Sequence, residues 1–252
     1  MPKIVALSSG VVIGYTQSGK GYLQKFDKTT GAAAWASPVV FNSPVSGLNF
    51  TTITELTKLS DDSFVAINIA KGTAWAIYGS LVAQRYDGNG NALWTNASVL
   101  TTTQGVQYNV RYDHLEDNDN VYIGYFTSGI TGSKFDAFVK KVNSDGALPW
   151  EDHGKAVSNG SYMETKTNIG INNNDLWAIS TFTNSNQNSR GEFVQKFDKQ
   201  TGNILLDEGA KELYPLTNGD GSVTHVSTVN FLNSAPVFVS VFTANLSVFP
   251  AI

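Results

Sequence analysis

The sequence predicts an all-β fold, a β-propeller of four-stranded antiparallel blades with four complete repeats and a partial fifth. Three observations predict it: a recurring glycine-containing motif, an apolar run before each copy of the motif, and the lack of any sustained helical periodicity. The motif glycines stand at positions 31, 90, 146 and 202, so successive copies are 59, 56 and 56 residues apart. A sandwich or a barrel predicts no repeat of this length, whereas a propeller repeats one small sheet per unit. A linear array of β-repeats is the alternative that the period leaves open.

Five apolar runs of β-branched and aromatic residues are predicted to form one strand in each unit. They lie at 11–15, 64–68, 121–125, 176–180 and 237–241 and are bounded by Asn, Asp, Ser and Gly. The four strands of a unit are named a to d: strand b is the apolar run, and strand a precedes it across a polar turn. Strand c ends at the Asp or Asn of the motif, and strand d is expected to begin at or just before the tryptophan. The predicted repeats span residues 1–42, 48–102, 108–159, 163–216 and 223–252, within a single propeller or propeller fragment at 1–252.

The motif combines an acidic residue, a glycine and, in three copies, a tryptophan four positions after the glycine. Its members are Asp27, Gly31 and Trp35; Asp87, Gly90 and Trp94; Gly146 and Trp150; and Asp198 and Gly202. This pattern resembles the tryptophan-docking repeat of quinoprotein-like propellers, although the fourth copy has Leu206 in place of the tryptophan. A basic residue stands two positions before each Asp or Asn, where that family favours a small one; these residues are Lys25, Arg85, Lys141 and Lys196. In this respect the motif is similar to blades of large secreted bacterial surface proteins.

The resemblance implies a structural role for the motif. Each tryptophan would pack between neighbouring blades and bury on the order of 200 Å². The aspartate would accept backbone N–H groups inside a tight turn, and the glycine would supply the positive φ that this turn requires. A quinone cofactor is not expected, because the full ring of eight blades and the metal ligands that it needs are not found. The predicted cofactor content is none, apart from the Ca²⁺ candidates described below.

The amino-acid composition and the net charge limit the classes of function that this chain can have. Charged residues make up 15% of the chain, below the roughly 25% usual in soluble domains, so Ser, Thr, Asn, Gln and Gly must form much of the polar surface. That palette is frequent on secreted bacterial proteins, and we expect a secreted or cell-surface location. The net charge of −4 and the lack of a Lys/Arg stripe argue against nucleic acid binding. No apolar stretch approaches the ~20 residues that span a bilayer, so no membrane span is expected.

The sequence carries no catalytic motif that we recognise. The three histidines, His114, His153 and His225, are widely separated, and each is expected to be an ordinary loop or strand residue. Two polar turns offer weak Ca²⁺ candidates, namely Asp117, Asp119 and Asp220, but neither has the full set of ligands of an EF-hand. Glycosidase propellers need two acids facing one sugar, and no such pair can be selected from the sequence. The expectation is therefore that the chain is not an enzyme.

The longest and least similar connections are those from strand b to strand c and from strand d to the next strand a. In an antiparallel blade these loops emerge at the same end, and variable loops commonly carry function. The candidate ligand residues at this long-loop end are Trp75, Tyr78, Tyr108, Tyr162, Arg190 and Tyr214. The leading hypothesis is a non-enzymatic binding or scaffolding module for a protein or a glycan. The alternatives are a glycan-active propeller enzyme, such as a glycosidase or lyase, and a structural spacer of a large adhesin. Further blades or a partner chain are expected at the incomplete ends.

Overall fold

The structure is a computed structural model that describes residues 2–108, 110, 112–129, 134–187, 189–215 and 226–241. These residues form nineteen β-strands, and no helix occurs among them. A helix long and apolar enough to cross a membrane is therefore not found in the described part of the chain.

The strands form five antiparallel sheets, numbered here in chain order. Sheet 1 contains β1 (Lys3–Leu7), β2 (Gly10–Gln17), β3 (Lys20–Phe26) and β4 (Val39–Val40). Sheet 2 contains β5 (Phe50–Lys58), β6 (Phe64–Lys71), β7 (Tyr78–Tyr86), β8 (Ser98–Val99) and β9 (Val106–Gln107). Sheet 3 contains β10 (Asp113–Asp117), β11 (Asn120–Ser128), β12 (Phe135–Val142) and β13 (Lys155–Ala156). Sheet 4 contains β14 (Met163–Asn172), β15 (Asp175–Thr183), β16 (Arg190–Asp198) and β17 (Lys211–Tyr214), and sheet 5 contains β18 (Val226–Leu232) and β19 (Ala235–Val241).

Each of the first four sheets has its strands in sequence order, a to d, and sheet 2 also pairs β9 with β7. The five apolar runs lie on β2, β6, β11, β15 and β19, which confirms them as the second strands. Burial explains their composition: every residue of β6 is buried, and all of them are apolar except Asn68 and Lys71. The fold class that the sequence predicts is thus confirmed as all-β, with four-stranded antiparallel sheets.

The chain divides into two compact units. Unit 1 comprises residues 1–122 and 140–153, and unit 2 comprises residues 123–139 and 154–252. Within unit 1, β5 packs against both β1 and β10, so the first strands of consecutive sheets are neighbours. Within unit 2, β14 packs against β18 in the same way. This arrangement matches propeller blades, whose first strands are the innermost.

The motif turns have the local structure that their residue types favour. In the first turn, the Oδ1 of Asp27 accepts hydrogen bonds from the backbone N–H groups of Thr29 (2.9 Å) and Thr30 (2.7 Å). Asp198 accepts the corresponding bonds in the fourth sheet, from Gln200 and Thr201. The four motif glycines have φ between +69° and +87°, a region that other residues enter only with strain.

Two tryptophans of unit 1 meet the motif turn of the following sheet. The indole N–H of Trp35 donates to the carbonyl of Gly88 (3.2 Å), and that of Trp94 donates to the carbonyl of Ser144 (2.8 Å). The basic residue of each motif donates to the same carbonyl. Lys25 Nζ lies 2.8 Å from the oxygen of Gly88, and Arg85 Nη1 lies 2.8 Å from that of Ser144. In these two motifs the basic residue that departs from the quinoprotein pattern thus donates to the same carbonyl as the indole.

The expected start of strand d needs correction. Strand d begins four residues after Trp35 and Trp94, at Val39 and Ser98, rather than at or before the tryptophan. A single bridge, between Phe26 and Ala33 in sheet 1, is the pairing that precedes the indole there. The residues that precede strand d are instead placed against the turn of the following sheet, to which the indoles of Trp35 and Trp94 donate.

Candidate functional site

Unit 1 contains a cavity of about 670 Å³ at its long-loop end, within the range usual for small-molecule sites. The first strands β1 and β5 provide Lys3, Thr52 and Thr54, and the connections above them provide Trp75 and Tyr108. Lys71, the last residue of β6, also lines the cavity. The cavity therefore joins polar groups of the inner strands to aromatic groups of the variable loops.

Pairing between two loops holds the aromatic residues in place. The short strand β9 pairs with the start of β7, with Gln107 opposite Tyr78, and the N–H of Tyr108 donates to the carbonyl of Ile77 at 3.0 Å. The ring of Tyr108 consequently lies beside Lys71, whose Nζ is 4.0 Å from the ring centroid. Trp75 stands in the loop before β7 with 91% of its surface exposed. An indole this exposed is available to a ligand and adds nothing to the core.

Below the cavity, three consecutive first strands contribute to one polar cluster. Lys3 Nζ lies 2.7 Å from Glu55 Oε1, and His114 Nε2 lies 3.2 Å from Glu55 Oε2. The other ring nitrogen of His114, Nδ1, is 2.7 Å from the hydroxyl of Thr57. Because Lys3 also lines the cavity, Glu55 is a carboxylate bound directly to a cavity residue.

Glu55 is held in its ionised form by these partners. Burial by itself raises the pKa of the carboxyl, but hydrogen bonds from His114 and Lys3 and their positive charge together keep the pKa below its usual value. The side chain of Glu55 is 7% exposed, so a carboxylate without partners would be costly there. Glu55 is thus an ionised carboxylate of low exposure that contacts the cavity residue Lys3.

The six candidate ligand residues fall into the two units. Trp75, Tyr78 and Tyr108 belong to unit 1, where Trp75 and Tyr108 line the cavity and Tyr78 does not. The others belong to unit 2: Tyr162, Arg190 and Tyr214. The ring of Tyr162 packs on Phe182 with centroids 5.0 Å apart, and Arg190 pairs with Thr183 in the ladder of sheet 4. Tyr214 pairs with Glu192 at the end of β17.

Unit 2 contains a second buried acid on a first strand. Glu164 lies at the start of β14, and its Oε2 accepts the backbone N–H of Ala137 at 2.7 Å. The hydroxyl of Ser158 donates to its other oxygen. Burial raises the pKa of Glu164 to about 7, against a weaker lowering by these hydrogen bonds. Neither Glu55 nor Glu164 was singled out from the sequence, where each is one acid in a strand of mixed polarity.

The Ca²⁺ candidates are engaged in turn contacts where the structure describes them. Asp119 accepts hydrogen bonds from the N–H and the hydroxyl of Ser60, both at 2.7 Å. Asp117 accepts from the side-chain amide of Asn118 at 2.9 Å. Asp220 and His225 lie outside the described residues. Among the described residues, no group of three or more acids or histidines is arranged to hold a metal ion.

His153 lies at the outer end of sheet 3. Its Nε2 is 3.3 Å from a carboxylate oxygen of Asp152, and burial lowers the pKa of its ring. This histidine is remote in sequence from the cavity residues and lines no part of the cavity.

No protein-family model matches this sequence, and no curated protein matches it with significance. Among solved structures, the chain is similar to an α-L-arabinanase of Penicillium chrysogenum complexed with arabinobiose. The TM-score is 0.53 at 7% identity, over 95% of this chain and 74% of that one. An α-L-arabinofuranosidase from Lactobacillus brevis matches with a TM-score of 0.49 at 10% identity, over 99% and 85% of the two chains. A GH43 endo-arabinanase from Bacillus licheniformis matches with a TM-score of 0.46 at 12% identity, over 96% and 92%.

The likeness to the Penicillium enzyme establishes the fold of this chain as a β-propeller. It also corrects one expectation from the sequence. The prediction that the chain is not an enzyme is wrong on this finding, because a solved structure that shares its fold is an enzyme. The prediction relied on the lack of short catalytic motifs in the sequence, and that lack does not exclude an enzyme.

Proposed function

We propose that this chain is a glycan-active propeller enzyme that cleaves glycosidic bonds, with its substrate bound in the cavity of unit 1. The observation that carries the proposal is the exposed indole of Trp75 beside Tyr108, at the mouth of a cavity with Lys3 and threonine hydroxyls in its wall. Sugar rings present apolar C–H faces to aromatic side chains and hydroxyl groups to polar ones, so this combination suits a saccharide.

Glu55 is the group to which we assign the acid–base chemistry in unit 1. Glycoside hydrolysis uses two carboxyl groups, one that protonates the leaving oxygen and one that activates water or attacks the sugar, and Glu55, as an ionised group, is assigned the second role. Glu55 is ionised, has low exposure and is bound to the cavity residue Lys3. Support for a glycan as substrate also comes from the structural likeness to an α-L-arabinanase, which makes arabinose-containing polysaccharides the first substrates to try.

The test is a hydrolysis screen of the whole chain against a panel of plant and bacterial polysaccharides that includes arabinan. We expect release of reducing ends from at least one member, and loss of that release in Trp75→Ala. Ile77→Ala is the matched control, since Ile77 is exposed in the same loop but does not line the cavity. Retention of a glycan without any cleavage would leave a binding module and contradict the enzymatic proposal. Equal behaviour of the two alanine variants would contradict the assigned site.

We also propose a secreted or cell-surface location and membership among propellers with tryptophan-docking repeats. The location is supported by the low content of charged residues. The repeat type is supported by the contacts of Trp35 and Trp94 with the following turns. Fractionation of the source cells with an antibody to the chain tests the location, and recovery in the cytoplasm alone would contradict it.

A further inference from the structure

Lys71 is a buried cation in the wall of the cavity, and no carboxylate of the described residues is paired with it. The residue is 3% exposed, and among the residues that the structure describes no acid forms an ion pair with it. Its Nζ donates one hydrogen bond, to the carbonyl of Ala74 at 3.2 Å, and lies over the ring of Tyr108. An ammonium group has three N–H donors, so two of them have no acceptor in the described structure.

A cation in this position is costly unless a ligand completes it. Removing an ammonium from water without a counter-charge is unfavourable, and a tyrosine ring returns only part of that cost. Burial lowers the pKa of Lys71, which is the direction expected for an ammonium that lacks an acidic partner. Lys3, the other lysine of the cavity wall, differs because its charge is balanced by Glu55 at 2.7 Å.

Lys71 therefore leaves an unbalanced positive charge in the cavity wall. Among the described residues that line the cavity, the ionisable side chains other than tyrosine are Lys3 and Lys71, and none is an aspartate or glutamate. The overall chain has the opposite sign, with a net charge of −4. Attraction of an anion to the cavity would therefore come from the local charge of Lys71 and not from the net charge of the chain.

We infer that the cavity recognises an acidic glycan, with Lys71 binding the carboxylate of a uronic acid residue and Trp75 stacking on a sugar ring. This inference rests on the proposed function and names its substrate class. A carboxylate placed at Lys71 would accept the two remaining N–H donors and supply the missing counter-charge. The Tyr108 ring below the ammonium fixes the direction from which that carboxylate approaches.

The test compares two ligands that differ only in charge. Oligogalacturonic acid and the same oligosaccharide after reduction of its carboxyl groups are titrated into the whole chain by calorimetry. We expect the acidic ligand to bind at least about tenfold tighter, and we expect Lys71→Met to reduce this ratio to about threefold or less. Lys28→Met is the matched control, because Lys28 lies in the first motif turn, outside the cavity, and carries the same charge.

The outcomes separate the two proposals. Equal affinity of wild type for the two oligosaccharides, with both lost in Trp75→Ala, overturns the inference about Lys71 and leaves the glycan site intact. Absence of binding to these ligands and to every neutral polysaccharide in the hydrolysis screen overturns the proposed function and the inference together. The wild-type comparison alone decides the charge preference, so the inference stays testable even if Lys71→Met is unstable.

Discussion

A β-carbon added to Gly146 would lie 2.8 Å from Cδ2 of Trp94, so the turn of sheet 3 and the indole of sheet 2 touch with no space for a side chain. Gly146 has a φ of +87°, and Gly31, its counterpart in sheet 1, has a φ of +69° with nothing within 4 Å of a built β-carbon. Both glycines therefore need a backbone with positive φ. Of the two, only Gly146 also lacks space for a side chain.

Gly146→Ala is expected to lower the free energy of unfolding by more than Gly31→Ala. The left-handed backbone costs about 1–2 kcal/mol at each position. The clash with Trp94 adds about 1–3 kcal/mol at Gly146, since a closely packed site must shift to admit a methyl group. Urea unfolding followed by tryptophan fluorescence measures both variants. Equal losses would show that the indole contact contributes nothing to stability.

Lys140→Gln is expected to stabilise the protein at pH 7. Lys140 occupies the position at which the first, second and fourth sheets carry Gln24, Gln84 and Gln195. Each of these glutamines donates its amide to a main-chain carbonyl 10 to 12 residues later, as Lys140 does to Glu151 at 2.8 Å. The substitution keeps a hydrogen-bond donor and removes a buried charge. Stabilising substitutions commonly raise the free energy of unfolding by about 0.5–2 kcal/mol.

The stability difference between wild type and Lys140→Gln is expected to depend on pH, and this dependence serves as the control. Burial lowers the pKa of Lys140 to about 8, whereas the unfolded chain titrates near 10.4. Between these values the unfolded state binds more protons, so wild-type stability gains from rising pH and the advantage of Lys140→Gln shrinks. Urea midpoints at pH 7, 8, 9 and 10 measure the difference. A difference in urea midpoint between wild type and Lys140→Gln that stays constant with pH would contradict the assigned pKa of Lys140.

Glu164→Gln is expected to become increasingly stabilising as pH rises from 5 to 8. The folded-state pKa of about 7 lies above the ordinary value of 4.5, so the folded chain holds a proton that the unfolded chain releases between these values. The stability contributed by protonated Glu164 is complete below pH 4.5 and is lost as pH passes 7. Glutamine keeps an acceptor for Ala137 and a donor for Ser158 without titrating. The gain at pH 8 is on the order of 3 kcal/mol.

Thermal unfolding of wild type and variant at four pH values measures this effect. Glu208→Gln is the control, because Glu208 is an exposed acid in the same unit. Parallel curves for wild type and Glu164→Gln across the range would show that Glu164 is already ionised in the folded protein.

Glu55→Gln is expected to reduce the rate of glycosidic cleavage by about 10²–10⁴-fold while glycan retention changes little. The amide cannot accept a proton, but it occupies the same volume between Lys3 and His114. Rates are measured on whichever polysaccharide the wild type cleaves, and urea unfolding confirms that the variant is folded. Asp62→Asn makes the same change of charge in the polar turn of sheet 2, where Asp62 pairs with Lys58 at 2.9 Å. An equal loss in both variants would remove Glu55 from the chemistry.

Much of the fold could be predicted because its determinants are local and repeated. Gly90 and Trp94 lie four positions apart and recur in other units, so chance agreement is excluded by repetition. The cluster of Lys3, Glu55 and His114 has no such signal, since its members are single residues on three different strands. Lys71 ends a largely apolar strand and looks like an ordinary strand terminus, and only the three-dimensional structure shows that no acid of the described part of the chain is paired with it.

The carbonyl shared at each of the first two joints, between sheets 1 and 2 and between sheets 2 and 3, gives the succession of these sheets a direction. Donors from the end of the earlier sheet meet the turn of the later one, as Lys25 and Trp35 meet Gly88 and as Arg85 and Trp94 meet Ser144. A whole unit of 56–59 residues inserted between two sheets would bring its own donors and its own acceptor, and every joint would still be matched. Insertion of only part of a unit would leave one joint with hydrogen-bond donors but no turn to accept from them. Proteins built this way should therefore gain or lose length in complete modules.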